Sequence, residues 1–160
     1  MKRLFILVGA LAIGGGVYMW GKYQSELAKK LAFGLKNARV KRINTNQILL
    51  DFDLQIDNPT EISLDVSDID IDVFANDKLA SNILLKTPTL LTPKSHILIP
   101  LTLNFNPRVI FSDLGFLLDI VGNMNDVRLR FKGTIKVRKF GIRIPVPFTF
   151  ETTYGQLKNN

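Results

Sequence analysis

The 160-residue chain has no cysteine and only one histidine, His96. The first absence excludes a disulfide framework, a thiolate metal site, a cysteine nucleophile and a lipid-bearing N-terminal cysteine. The second excludes a metal site built on several histidines of one chain. A nucleophile–base dyad would have to join His96 to a serine, and no Gly-x-Ser-x-Gly elbow is present. Gly14, Gly15 and Gly16 lie inside an apolar run and lack the Lys-Ser/Thr that completes a phosphate-cradling loop. His96, next to Ser95, reads as a surface histidine at the start of a strand.

What is present suits one globular domain with a real core: 46% of residues are hydrophobic and 22% charged, outside the range of disordered chains. The net charge of +7 is unevenly spread. Residues 1–45 carry nine Lys/Arg and one acid, residues 46–126 four and twelve, and residues 127–160 eight and one. A uniformly basic domain would suggest nucleic acid. A basic–acidic–basic order suggests self-complementarity, with membrane attraction at the basic N-terminal part.

The N-terminus opens with Lys2 and Arg3 and then runs uncharged from Leu4 to Gly21. Eighteen residues in a helix span roughly 27 Å, close to one hydrocarbon core. Leu4, Phe5, Ile6, Leu7 and Val8 supply the apolar start, and Tyr18 and Trp20 stand where an interfacial aromatic belt would lie. We therefore expect a single-pass membrane anchor whose partner is lipid. Two other readings stay open. One is a cleaved signal peptide, whose best small-residue site, Ala10-Leu11-Ala12, leaves a very short apolar stretch before it. The other is a helix buried in an assembly. The short basic start argues for export and an extracytoplasmic domain. The Lys/Arg excess after the segment argues for the opposite orientation. Residues 22–38 read as an amphipathic stalk helix, because Leu27, Leu31 and Leu35 recur at four-residue spacing and Glu26 precedes Lys30 by four. Such a helix could also lie on an anionic membrane surface.

From Arg39 the period becomes two. Leu50, Phe52, Leu54 and Ile56 alternate with Asp51, Asp53, Gln55 and Asp57, the signature of a half-buried strand. Asn58-Pro59-Thr60 ends it, since proline cannot donate to a ladder. Ile62, Leu64 and Val66 then share one parity and Ile69, Ile71 and Val73 the other, so a bulge or crossover is expected at Ser67-Asp68. A turn is expected at Ala75–Lys78 and further strands at Leu79–Leu85 and His96–Phe105. Asn106 caps and Pro107 starts a helix expected over about residues 108–121, ending near Gly122-Asn123. Val127–Arg138 alternates apolar with basic residues, and a last strand runs from Ile142 to about Tyr154, with Pro145 and Pro147 marking a sheet edge. The acids at Asp51/Asp53 and Asp70/Asp72 are expected to meet the basic face at 128–138 on one solvent-facing sheet, or to lie close on its surface, each opposed pair contributing roughly 0.2–1 kcal/mol.

Three motifs in this order resemble the late embryogenesis abundant group 2 family, also called the water stress and hypersensitive response domain. They are the strand ending in Ile56-Asp57-Asn58-Pro59, the strand step Val66-Ser67-Asp68-Ile69 and the hairpin Asn76-Asp77. The central glycine of Phe131-Lys132-Gly133-Thr134-Ile135 and the basic, then apolar-proline strand Arg143–Phe148 extend the resemblance over about residues 39–154. It implies an all-β, immunoglobulin- or fibronectin-like antiparallel sandwich of about seven strands with one inserted helix. It also implies a non-enzymatic role in protection during desiccation or other stress, through weak contacts with membranes or proteins. The Asn58-Pro59 turn is then a family signature, with no catalytic residue and no cofactor to carry over. The expected organisation is an anchor or signal-like segment at 1–21, a stalk at 22–38, the sandwich at 39–154 and a tail at 155–160.

Other chemistries fit less well. Calcium wants six to eight oxygens around one point, and acids alternating along strands do not converge in that way. Paired carboxylates for glycoside hydrolysis would need an aromatic platform that is missing beside them. The basic strand Arg128–Arg138 lacks exposed stacking partners for nucleic acid. Two non-catalytic alternatives stay open. One is a structural module of an envelope complex or virus particle. The other is a carrier whose apolar groove, covered by residues 108–121 and rimmed by Thr87–Pro93, holds a lipid or small ligand.

Overall fold

Alternation with period two organises most of the chain, and it produces two antiparallel sheets. The computed structural model describes residues 29–86, 88–111, 121–139 and 141–159, together with Lys22, Glu26 and Leu118. Among them run eight strands: β1 (Ala32–Ile43), β2 (Ile48–Asn58), β3 (Leu64–Ala75), β4 (Lys78–Leu85), β5 (Thr89–Leu91), β6 (Ser95–Phe105), β7 (Arg128–Lys139) and β8 (Ile142–Thr153). One sheet has the order β1-β2-β6 and the other β4-β3-β7-β8, with β5 paired to the start of β3. Every pairing is antiparallel.

The inward parity of each strand makes the core between the sheets. Leu50, Phe52, Leu54 and Ile56 of β2 face Val73, Ile71 and Val66 of β3 and Phe131, Ile135 and Val137 of β7 within one buried cluster. Phe52 meets Phe131 edge to face across the gap, with ring centroids 5.3 Å apart. A T-shaped pair of this kind adds about 0.5–1.5 kcal/mol beyond its buried area. The parity change in β3 is resolved by a register shift between Val66 and Asp68 against β7, which keeps both apolar sets inward. The β3–β4 turn places Asn76 (φ 46°) and Asp77 (φ 67°) in the left-handed region, as a two-residue hairpin demands. Asp77 also receives Arg128 and Arg130 from β7.

Several expectations need correction. The sheet domain begins at Ala32, not at Arg39, so the stalk helix does not extend to residue 38. Lys22 and Glu26 are helical, but Leu31, Phe33 and Leu35 obey a two-residue period as well as a helical one. Phe33 and Leu35 gain in β1 a hydrogen-bond ladder with β2, and Leu35 and Leu31, just before the strand, become buried. A solvated helix offers neither. The helix expected over 108–121 is broken: α1 (Pro107–Ile110) is capped by Asn106 as anticipated, but Phe111 is extended (φ −114°, ψ 108°). Its ring is 1% exposed, so core burial of this one side chain takes the backbone out of the helix. Residues 112–117 lie outside the described residues, and Val121 and Gly122 are again helical before a 3-10 turn at Met124–Asp126. The tail forms α2 (Tyr154–Lys158), held by a capping box between Thr153 and Gln156, with Leu157 fully buried. β5 had no counterpart in the sequence reading.

The expected anchor, including Leu4, Phe5, Ile6, Leu7, Val8, Tyr18 and Trp20, lies outside the described residues. Among those described, no helix is long and apolar enough to cross a membrane.

Candidate functional site

Antiparallel pairing gathers seven strand ends at one pole of the domain. Ala32 opens β1 opposite Asp57 near the end of β2, Asn58 lies opposite Ser95 at the start of β6, and Asp65 near the start of β3 faces Arg138 near the end of β7. Leu64 and Leu91 pair there as well, and the β7–β8 hairpin turns at Gly141 (φ 79°).

Asn58 and Pro59 sit in this pole. Pro59 is exposed, whereas Asn58 is 1% exposed. The Asn58 amide donates to the carbonyls of Ile62 (2.8 Å) and Thr92 (3.0 Å), and its oxygen accepts from the Thr60 backbone N–H (3.1 Å) and hydroxyl (2.6 Å). One side chain thereby ties the β2–β3 loop to the β5–β6 loop. A second tie runs outside it: Lys94 donates to the Pro59 carbonyl at 2.8 Å and pairs with Glu61 at 3.0 Å. All of these groups hold backbone, and none is aimed at a cleft. The turn is a fastening of the fold.

The acidic faces separate onto different sheets. Asp51 and Asp53 belong to β2, where Asp51 pairs with Lys41 (3.5 Å) and accepts from Thr102 (2.9 Å), and Asp53 accepts from Asn37 (2.7 Å). Asp70 and Asp72 belong to β3, and Asn82 of β4 donates to both, at 2.8 and 2.9 Å. Only this second pair adjoins the basic strand: Asp72 lies opposite Lys132 and Asp70 opposite Thr134. The expectation of one shared acidic–basic sheet therefore holds for β3 and β7 and fails for β2, because β2 is in the other sheet. Among the described residues no carboxylate oxygen comes within 4.0 Å of the Lys132 or Lys136 ammonium.

An apolar groove opens where the edge strands β1 and β8 come together. It is an open groove of about 440 Å³ between Leu31 and Phe33 on one side and Pro145, Pro147 and Phe150 on the other. Phe33 stacks on Phe148 at its floor, with centroids 4.9 Å apart and planes 22° apart. The carrier hypothesis placed such a groove beneath residues 108–121; this one lies at the β1–β8 seam. Sequence reasoning missed it because Leu31 and Phe33 were assigned to a helix. The signal that would have found it is the alternation Leu31–Phe33–Leu35.

Among the described residues no three His, Asp or Glu side chains gather as metal ligands. His96 is exposed on β6, opposite Asp57. Burial raises the Tyr154 phenol above its ordinary value, for reasons of desolvation alone.

Comparison with known proteins finds one family model, described as late embryogenesis abundant protein, over residues 53–151. No curated protein matches. Among solved structures, a protein from Arabidopsis thaliana is similar at 16% identity and a TM-score of 0.54, covering 78% of this chain and 82% of that one. A putative ApaA protein from Bordetella pertussis is similar at 12% identity and a TM-score of 0.54, covering 78% and 93%. A protein from Archaeoglobus fulgidus is similar at 14% identity and a TM-score of 0.50, covering 77% and 96%. At such identities these likenesses speak to the fold.

Proposed function

The chain belongs to the late embryogenesis abundant group 2 family, matched over residues 53–151, and on that premise we propose a non-enzymatic, membrane-anchored domain of the desiccation- and stress-protection type. The family match carries the stress-protection reading. The uncharged run Leu4–Gly21, just upstream of the first described residues, supports the anchor. The two packed antiparallel sheets support an immunoglobulin- or fibronectin-like sandwich. In this reading the anchor holds the domain at a lipid surface, and its alternating polar faces make weak contacts there or with neighbouring proteins. No cofactor or metal takes part, and the domain lies on the extracytoplasmic side.

The test is fractionation of the full-length chain carrying a C-terminal tag, followed by protease treatment of intact spheroplasts. A membrane-bound, protease-sensitive domain is the expected result. A membrane-bound but protected domain reverses the orientation, and a fully soluble chain that still carries residues 1–38 removes the anchor. Protection itself is read by drying a labile enzyme with and without the protein and measuring the activity recovered on rehydration; equal recovery would count against a stress role.

The groove at Phe33 and Phe148 favours a second reading, a carrier of a small apolar ligand. Its volume falls within the range of small-molecule sites, about 300–1,000 Å³. Extraction of the purified chain with organic solvent, followed by mass spectrometry, checks it: a stoichiometric apolar molecule supports the carrier, and its absence removes it.

A further inference from the structure

Lys29 and Lys30 enter the domain at the same pole where β7 ends and β8 begins. Lys136 and Arg138 lie in the last four residues of β7, and Arg143 lies opposite Arg138 at the start of β8. Lys86, between β4 and β5, joins Lys136, Arg138 and Arg143 around one shallow depression on the outer face of the sheet. All six cations are exposed. The carboxylates in that depression are Asp68 and Asp70; Asp70 is already engaged by Asn82, and Asp65 lies opposite Arg138 in the ladder. Among the described residues no ion pair holds Lys30, Lys86, Lys136, Arg138 or Arg143. Asp57 and Glu61 also lie at this pole, Glu61 paired with Lys94, but the cations without ion-pair partners leave its β7–β8 side a positive surface.

We propose that this pole docks on anionic lipid headgroups. Its position argues for a bilayer over other polyanions. Only seven residues separate the uncharged segment Leu4–Gly21 from Lys29, so a surface that the segment enters is tethered to this pole by a short link. A Lys or Arg close to an anionic bilayer contributes about a fivefold gain in binding, and the gain decays within a Debye length. Lys86 and the group Lys136, Arg138 and Arg143 come from separate stretches of sequence and line one depression only because the fold brings them together, with Lys29 and Lys30 entering at the same pole. The proposal rests on the membrane reading above and adds to it a face, an orientation and a lipid preference.

The test uses the full chain and the absence of native cysteine. Two single-cysteine variants carry a fluorophore: Pro88→Cys at the basic pole and Gly122→Cys at the opposite one, where added side-chain atoms meet open space. Each is mixed with vesicles of neutral phosphatidylcholine, or of phosphatidylcholine with phosphatidylglycerol, containing a nitroxide at headgroup depth. The Pro88 label should be quenched more strongly on the anionic vesicles and the Gly122 label equally on both. The combined change Lys136→Gln, Arg138→Gln and Arg143→Gln should lower the docked-to-undocked ratio by about a hundredfold, and raising salt from about 0.1 M to about 1 M should do much the same. These side chains are exposed, so an unchanged melting temperature will show that the fold is intact. Equal quenching on both lipids, an unchanged response in the triple variant, or preferential binding of polyuridylate overturns the proposal. Flotation separates it from the anchor. A chain that floats only with anionic vesicles, and through these three charges, sinks the anchor and keeps the docking. A chain that floats with both and shows no difference in quenching does the reverse.

Discussion

Thr60 donates its hydroxyl to the Asn58 side-chain oxygen across 2.6 Å, while the Asn58 amide reaches the carbonyls of Ile62 and Thr92. This buried arrangement is satisfied from both sides, so removing its centre strands groups that water cannot reach. Asn58→Ala should lower stability by about 3 kcal/mol, the cost of leaving several such groups unpaired. Urea unfolding should show a lower midpoint with an unchanged slope. A midpoint within error of the parent would show that the two loops are held by Lys94 and Glu61 instead.

Gly133 lies under the Phe148 ring. A methyl group there would sit 2.7 Å from the Phe148 ring edge and 2.8 Å from the Asp70 carbonyl oxygen. Gly133→Ala should therefore cost about 1–3 kcal/mol by overpacking. Phe148→Leu in the same chain should recover only part of this, because the Asp70 carbonyl belongs to the β3 ladder and cannot withdraw. Full recovery would mean that the ring alone sets the limit.

Phe52 and Phe131 should be coupled across the two sheets. Each truncation to alanine should cost about 3–5 kcal/mol. The double variant should lose less than the sum, by about 0.5–1.5 kcal/mol, the worth of the edge-to-face contact. Strict additivity in a double-mutant cycle would deny the contact.

Tyr154 makes stability fall in alkali. Its folded-state phenol is raised by burial, so the unfolded chain ionises first. The stability concerned is fully present below the unfolded pKa, near 10, and is lost as pH rises through the folded value. Tyr154→Phe should match the parent near about pH 8 and exceed it near about pH 11 in urea midpoint. Parallel alkaline limbs would show that the phenol is solvated.

Much of the sandwich was legible because its strands are half-buried. In β2 and β7 an inward apolar set alternates with an outward charged one, and one-dimensional spacing is enough to read them. The bulge at Ser67-Asp68 was legible for the same reason, since the apolar parity changes there. β1 was not, because Leu27, Leu31 and Leu35 satisfy a helix while Leu31, Phe33 and Leu35 satisfy a strand, and only pairing with β2 decides. α1 shows the converse: Asn106 and Pro107 announced a helix correctly, but its length was settled by a pocket for Phe111, which no local pattern encodes. The basic pole was the least legible feature. Lys86 and Arg143 are far apart in sequence and line one depression only through the fold.

Pro145 and Pro147 of β8 lie opposite Lys136 and Thr134 of β7. The ladder with β7 survives because residues of that parity turn their nitrogens away from it, toward the free side of the strand. Two donors are thereby missing from the middle of that border. A strand approaching from that side finds no continuous row of N–H groups to pair with. That border is therefore a poor template for edge-to-edge pairing, a protection set by two residues of one strand.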